Sequence, residues 1–161
     1  MQWQFAGDSP NNGFLHCEAA DATALVRGDW VLWDLVANAA VAGILRETRA
    51  YRISKVAMGS VSTNCRVAGV VETVPQTYGT SSTKGTTLLV QCFGFHDSAL
   101  CVATTGTPAA GVGLIGSTTA GSANEVLAGT TNAGVSQLIG ASLVALSTTP
   151  SNNAVFVHTL G

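Results

Sequence analysis

Short apolar, β-prone runs recur along this chain, each bounded by residues that favour turns. Gln2 to Phe5 alternates polar and aromatic positions, which puts Trp3 and Phe5 on one face of an extended segment. Asp8-Ser-Pro-Asn-Asn-Gly13 follows as a turn cluster, because Pro10 fixes φ and the Asn-Gly pair tolerates positive φ. Runs suited to strands then fall at residues 29–33, 51–56, 66–71, 86–93, 99–103, 137–146 and 154–160. Thr105-Gly-Thr-Pro108 and Thr149-Pro-Ser-Asn-Asn153 separate some of them. This spacing predicts an all-β fold, a compact sandwich or barrel of short strands. The departure is residues 35–49, where Leu35, Val36, Ala39, Ala40 and Gly43 suit one short helix. The alanines favour that helix; Gly43 and the adjoining Val41 and Ile44 oppose it.

A faint internal echo points to two similar halves. Residues 87–94 (TLLVQCFG) and 154–161 (AVFVHTLG) share an apolar pattern and a final glycine. Upstream of each lies a glycine-centred apolar strand, around Gly69 and Gly140.

At 161 residues the chain is long enough for one domain spanning 1–161, with residues 1–27 as an N-terminal arm available for contacts. Charge changes the picture more than length does. Asp, Glu, Lys and Arg make up only 10%, beside 47% hydrophobic residues. From Ser98 to the end the only one of these four types is Glu125, and no Lys or Arg follows Lys84. Thr, Ser, Gly, Ala and Val can cover a surface but do little to prevent association, so the chain reads as a component of an assembly. The stretch from Ser98 onward is expected to be covered by neighbours more than the charged region 27–66 is. The last strand, 154–160, is expected to be an edge that joins a neighbour's sheet.

The formal charge of −2 gives no electrostatic footprint for nucleic acid. The longest apolar stretch, 30–45, is broken by Asp34 and Asn38 and falls short of the roughly twenty residues of a membrane-spanning helix. The start, Met-Gln-Trp-Gln-Phe, lacks the basic opening and apolar run of an export leader, so synthesis in a cytoplasm is the reading.

No catalytic, cofactor or metal site is expected. Cys17, Cys65, Cys92 and Cys101 form no C-x-x-C pair and read as free, buried thiols. Gly111-Val-Gly-Leu-Ile-Gly116 is literally G-x-G-x-x-G, but the dinucleotide fingerprint needs a preceding strand, a helix opening inside it and an acid about twenty positions on. Here Pro108 precedes it and Glu125 is the only later acid, so a glycine-rich turn is favoured. His16 and Cys17 are neighbours and face opposite sides of an extended segment. His96, Asp97 and His158 have no spacing that ties them to a cysteine nucleophile. Asp29 and Asp34 point to opposite sides of a strand, and Gly28-Asp29 reads better as the turn that launches it.

Aromatic residues supply the candidate contacts. Trp3, Phe5, Trp30 and Trp33 cluster early in a chain that is only 6% aromatic, and large rings dominate interface energies. With the closing strand, the candidate interface residues are Trp3, Phe5, Trp30, Val155, Phe156, Val157 and Leu160.

Gly28-Asp-Trp-Val-Leu-Trp-Asp34, Val67-Ala-Gly-Val-Val-Glu72 and Gly85-Thr-Thr-Leu-Leu-Val-Gln-Cys-Phe-Gly94 resemble segments of the small head decoration (capsid cement) proteins of tailed bacteriophages. Thr107-Pro-Ala-Ala-Gly111, Ser117-Thr-Thr-Ala-Gly121, Ile139-Gly-Ala-Ser-Leu143 and Val155-Phe-Val157 continue the resemblance, which rests on Gly, Val and Thr patterns. The Trp-rich start and the helix near Leu35 depart from it. The resemblance implies a β-fold that oligomerises on the outer capsid surface and binds the major capsid protein, with no catalytic residues. A trimer comes first, because capsid lattices offer threefold sites, and a dimer second. The rival readings are a β-rich tail or receptor-binding virion module, and a nucleotide-binding enzyme domain built on the Gly111–Gly116 loop.

Overall fold

The computed structural model describes residues 12–20, 24–33, 52–55, 67–73, 87–126 and 138–159. Among them are nine strands and no helix: β1 (Gly13–Ala19), β2 (Trp30–Trp33), β3 (Arg52–Ser54), β4 (Val67–Thr73), β5 (Thr87–Val102), β6 (Gly113–Gly116), β7 (Ala123–Glu125), β8 (Gly140–Ser142) and β9 (Ser151–His158). The fold is all-β, as the spacing of apolar runs predicts. The helix expected at 35–49 lies outside the described residues, as do Trp3, Phe5 and Leu160.

All nine strands belong to one sheet, in the order β1-β3-β2-β4-β5-β7-β6-β8-β9, and two further pairings close it. β1 pairs with β5, which closes β1-β3-β2-β4-β5 into a five-stranded barrel. β5 also pairs with β9, which closes β5-β7-β6-β8-β9 into a second circuit. The two circuits share β5 and have the same connectivity. In each, the first and third strands pair in parallel (β1 with β3, β5 with β7) and all other neighbours are antiparallel. The sequence echo falls on equivalent parts, since β4–β5 are the last two strands of the first circuit and β8–β9 the last two of the second.

β5 is a single strand of 16 residues where the sequence pattern suggests two. Its polar middle, His96-Asp97-Ser98, carries a register shift against β9 between His96 and Ala99. Gly94 adopts φ +102° just before it. A bulge and a glycine let one strand bend and re-aim its side chains, so β5 leaves one barrel wall and enters the next.

Each circuit has its own core. Leu15, Cys17, Ala19, Leu25, Val31, Ile53, Ala68, Val71, Leu88, Val90 and Cys92 fill the first. Trp30, Leu32, Val67, Val70, Ala99, Cys101, Leu114, Ala123, Ile139, Leu146, Val155 and Val157 are among those that fill the second. Alternation explains the division: in β2, Val31 points one way and Trp30 and Leu32 the other, so β2 and β4 form a wall with a core on each face. Each fully buried Leu, Ile or Val contributes about 1.5–3 kcal/mol relative to exposure.

Two expectations are corrected here. The N-terminal segment 1–27 is not wholly an arm, because it contains β1, a full barrel strand, and the completely buried Leu25. The last strand is not an edge: β9 pairs with β5 from Ser151 to His158 and with β8 at Val155–Val157.

Candidate interaction surface

Outward-facing residues of the second circuit assemble an apolar stripe. On β5, residues 88, 90 and 92 point into the first core, so Phe93 and Phe95 point out. On β9, Val155 and Val157 point in, so Phe156 and His158 point out. Register then sets Phe95 opposite Phe156 and Phe93 opposite His158. The Phe93 and Phe156 rings meet edge to face with centroids 5.3 Å apart, a favoured aromatic geometry. Ala141 of β8 lies opposite Phe156, and Gly113 of β6 opposite Ala141. Gly113 is roofed by Leu138 and Val126, which occupy the space its missing side chain leaves. Phe95 is 52% exposed, Leu138 55%, Val126 43% and Phe156 38%. The stripe crosses four strands, a width of about 14 Å at the usual strand spacing.

Charged side chains gather away from the stripe, on β1–β3 and where β4 meets the bulge of β5. Arg27 reaches Asp97 at 2.6 Å and Glu72 at 3.3 Å, and Arg52 reaches Glu18 at 3.1 Å. His96 Nε2 lies 2.9 Å from Glu72 Oε2, and its Nδ1 accepts a hydrogen bond from the Ser98 amide. Burial pushes the Glu72 carboxyl upward, but the His96 contact and the Arg27 charge outweigh it and hold that pKa below the ordinary carboxylate value.

The seven candidate contact residues separate accordingly. Trp30, Val155 and Val157 are completely buried in the second core and present no surface, because alternation turns them inward. Phe156 stands on the stripe. Trp3, Phe5 and Leu160 lie outside the described residues. The sequence reading omits Phe93, Phe95, Leu138 and Val126. For the two phenylalanines a signal existed, since both sit two apart from each other in antiphase to Leu88, Val90 and Cys92.

The remaining polar groups serve the fold. Asp29 is buried, takes the Val26 amide at 2.8 Å and pairs with Lys55 at 2.9 Å, so it fastens the turn that launches β2. Glu125 is buried with both oxygens 2.9 Å from the Thr104 amide, its charge met by backbone N–H groups. Cys17, Cys92 and Cys101 are free and buried; burial pushes Cys17 and Cys101 up to about 12 and raises Cys92. His16 is exposed and Cys17 buried, on opposite faces of β1. Gly111 sits in an open turn at φ +91°, and Gly113–Gly116 is strand β6, so the helix N-terminus that would hold a pyrophosphate is not formed there. Among the described residues no three His, Cys, Asp or Glu side chains converge on a metal position.

No protein-family model matches the chain, and no curated protein is significantly similar to it.

Proposed function

We propose that this chain is a viral structural protein, a capsid decoration or cement protein that binds the outer surface of a phage head and stabilises the lattice of major capsid protein. The observation that carries the reading is the uncharged stripe of Phe93, Phe95, Ala141, Phe156, Leu138 and Val126 on one of two topologically equal circuits. Exposed, contiguous apolar surface rimmed by polar residues marks an association site. The resemblance of the Gly28, Val67 and Gly85 segments to head decoration proteins supplies the context. Such a protein needs no chemistry. It binds the assembled lattice and not its dissociated parts, which stabilises the lattice by mass action. Many identical modest contacts act together through high effective concentration. A homo-oligomer, a trimer before a dimer, would match the symmetry axes of a capsid.

The test is sedimentation of the purified chain with heads that lack it. Saturable pelleting with the heads, lost in the Phe156→Ser variant, supports the reading. A chain that stays in the supernatant at every concentration contradicts it.

A further inference from the structure

We propose that the imidazole of His96 is an acid-operated latch on the bulge of β5: a proton and the Ser98 amide compete for one lone pair on its Nδ1, and proton uptake frees the bulge. The latch depends on no partner and stands apart from the capsid reading.

The bulge leaves a backbone group in need of a partner. Against β9, His96 pairs with Val155 and Ala99 with Asn153, so Asp97 and Ser98 together face the single Ala154. An extra residue of this kind loses its place in the ladder. The Ser98 amide donates instead to His96 Nδ1 at 3.1 Å. The Ser98 carbonyl oxygen packs against Gly28 so closely that a Cβ there would strike it. One side of the bulge is thus pressed on the turn before β2, and the other hangs on the ring.

An N–H can be received only by an unprotonated nitrogen, so the Ser98 bond fixes the tautomer with its hydrogen on Nε2. Nε2 lies 2.9 Å from Glu72 Oε2 of β4, outside good hydrogen-bond alignment, and the ring is completely buried. Imidazole is the side chain that changes charge between about pH 5 and 8, and here the second proton can enter only at Nδ1. There it displaces the Ser98 amide, because two N–H groups cannot share the position.

The other end of the ring responds in the opposite sense. Burial pushes the Glu72 carboxyl upward, but His96 and Arg27 outweigh it and hold it charged at mildly acidic pH. Proton uptake turns the Nε2–Glu72 contact into an ion pair, which needs less alignment than a hydrogen bond. The hold on β4 strengthens while the hold on β5 breaks, so the ring stays and the bulge is released.

The charged groups near the ring support this direction. Glu72 comes from β4, and Arg27, from the turn before β2, bridges Glu72 at 3.3 Å and Asp97 of β5 at 2.6 Å. Asp29 of the same turn is taken by Lys55 at 2.9 Å. On β9 the residue opposite the ring is Val155, and the titratable His158 stands opposite Phe93. Arg27 keeps Asp97 tied in both states, which confines the release to Ser98.

Nuclear magnetic resonance on the native full-length chain from pH 8 to pH 5 tests the latch. The ring nitrogen shifts of His96 report tautomer and protonation. Hydrogen exchange, corrected for its intrinsic pH dependence, reports the Ser98 amide. The expected result is an Nε2–H ring at pH 8 and a loss of about tenfold in Ser98 protection, the scale of one hydrogen bond, with the midpoint of ring protonation. The Ala20 and Ile139 amides, which donate to the Ile53 and Leu114 carbonyls in the two circuits, should keep their protection. An Nδ1–H ring at pH 8, a ring still neutral at pH 5, Ser98 protection unchanged through ring protonation, or an equal loss at all three amides overturns the proposal. Glu72→Gln gives the second measurement. Without the carboxylate the ring midpoint should fall by about one unit, and an unmoved midpoint overturns the proposal.

Discussion

Phe95 and Phe156 stand directly opposite each other on β5 and β9, both exposed, while Val155 and Val157 on either side of Phe156 are completely buried. One strand thus divides its apolar residues between a core and a surface. Replacing members of each set separates the two roles. Trp30→Ala should cost about 3–5 kcal/mol of folding stability, read as a lowered urea midpoint. Phe156→Ser should cost only about 1 kcal/mol, the scale of an aromatic pair, yet weaken self-association at least tenfold. A Phe156→Ser variant that unfolds as readily as Trp30→Ala would assign Phe156 to the core.

Equivalent glycines in the two circuits make a second test. A Cβ on Gly69 of β4 would run into the Gln91 carbonyl oxygen, and one on Gly140 of β8 into the Phe156 carbonyl oxygen. In both cases the obstacle is backbone of the paired strand, which cannot step aside without opening the ladder. Gly69→Ala and Gly140→Ala should each destabilise the protein by about 3 kcal/mol. Gly111→Ala should cost far less, because its surroundings are open and only its positive φ resists the change. Equal midpoints for all three variants would contradict the close approaches.

Much of this fold was legible because β2, β3 and β4 are runs of β-prone residues with apolar sides: Trp30-Val-Leu-Trp33, Arg52-Ile-Ser54 and Val67 to Thr73. β1, β6 and β7 were not. Gly13-Phe-Leu-His-Cys-Glu-Ala19 holds no β-branched residue, Gly113-Leu-Ile-Gly116 is too short to show a period, and Ala123-Asn-Glu125 buries a carboxylate that only its backbone partners explain. β5 reads as two strands because its polar bulge mimics a turn. The stripe was the least legible part, since Phe95, Phe156, Ala141 and Gly113 come together only through pairing among four strands. The apolar character of Val155 and Val157 does not distinguish core from interface, whereas their phase relative to Phe156 does.

Acid should loosen the wall between the circuits. Glu72 has a folded pKa below its unfolded value despite the opposing effect of burial, because His96 and Arg27 favour its charged form. Its contribution is therefore complete above the unfolded carboxylate pKa, near 4.3, and is lost as pH falls through the lower folded value. The Glu72→Gln variant should be less stable than the parent at pH 6, with the gap narrowing as pH drops below about 4. Urea midpoints measured across that range check it, and a gap that widens toward acid would refute the assignment.

Thiol chemistry reports on both cores at once. Burial lifts Cys17 and Cys101 to about 12 and raises Cys92, so all three remain protonated near neutral pH. Iodoacetamide at pH 8 should leave these three unmodified in the native protein and label them in urea, as read by peptide mass mapping. Stability should also fall as pH rises past about 9, where the unfolded thiols ionise and the folded ones do not. Rapid native labelling of Cys92 or Cys101 would show that a core is open.

The central claim concerns place, and a cryo-electron microscopy reconstruction of tailed-phage heads incubated with this chain tests it most directly. The account predicts density for the two fused circuits on the outside of the head, repeated at symmetry-related positions, with the Phe95–Phe156 stripe turned toward a sister subunit. A head whose outer surface is bare, with matching density at the tail vertex or nowhere on the particle, would contradict it.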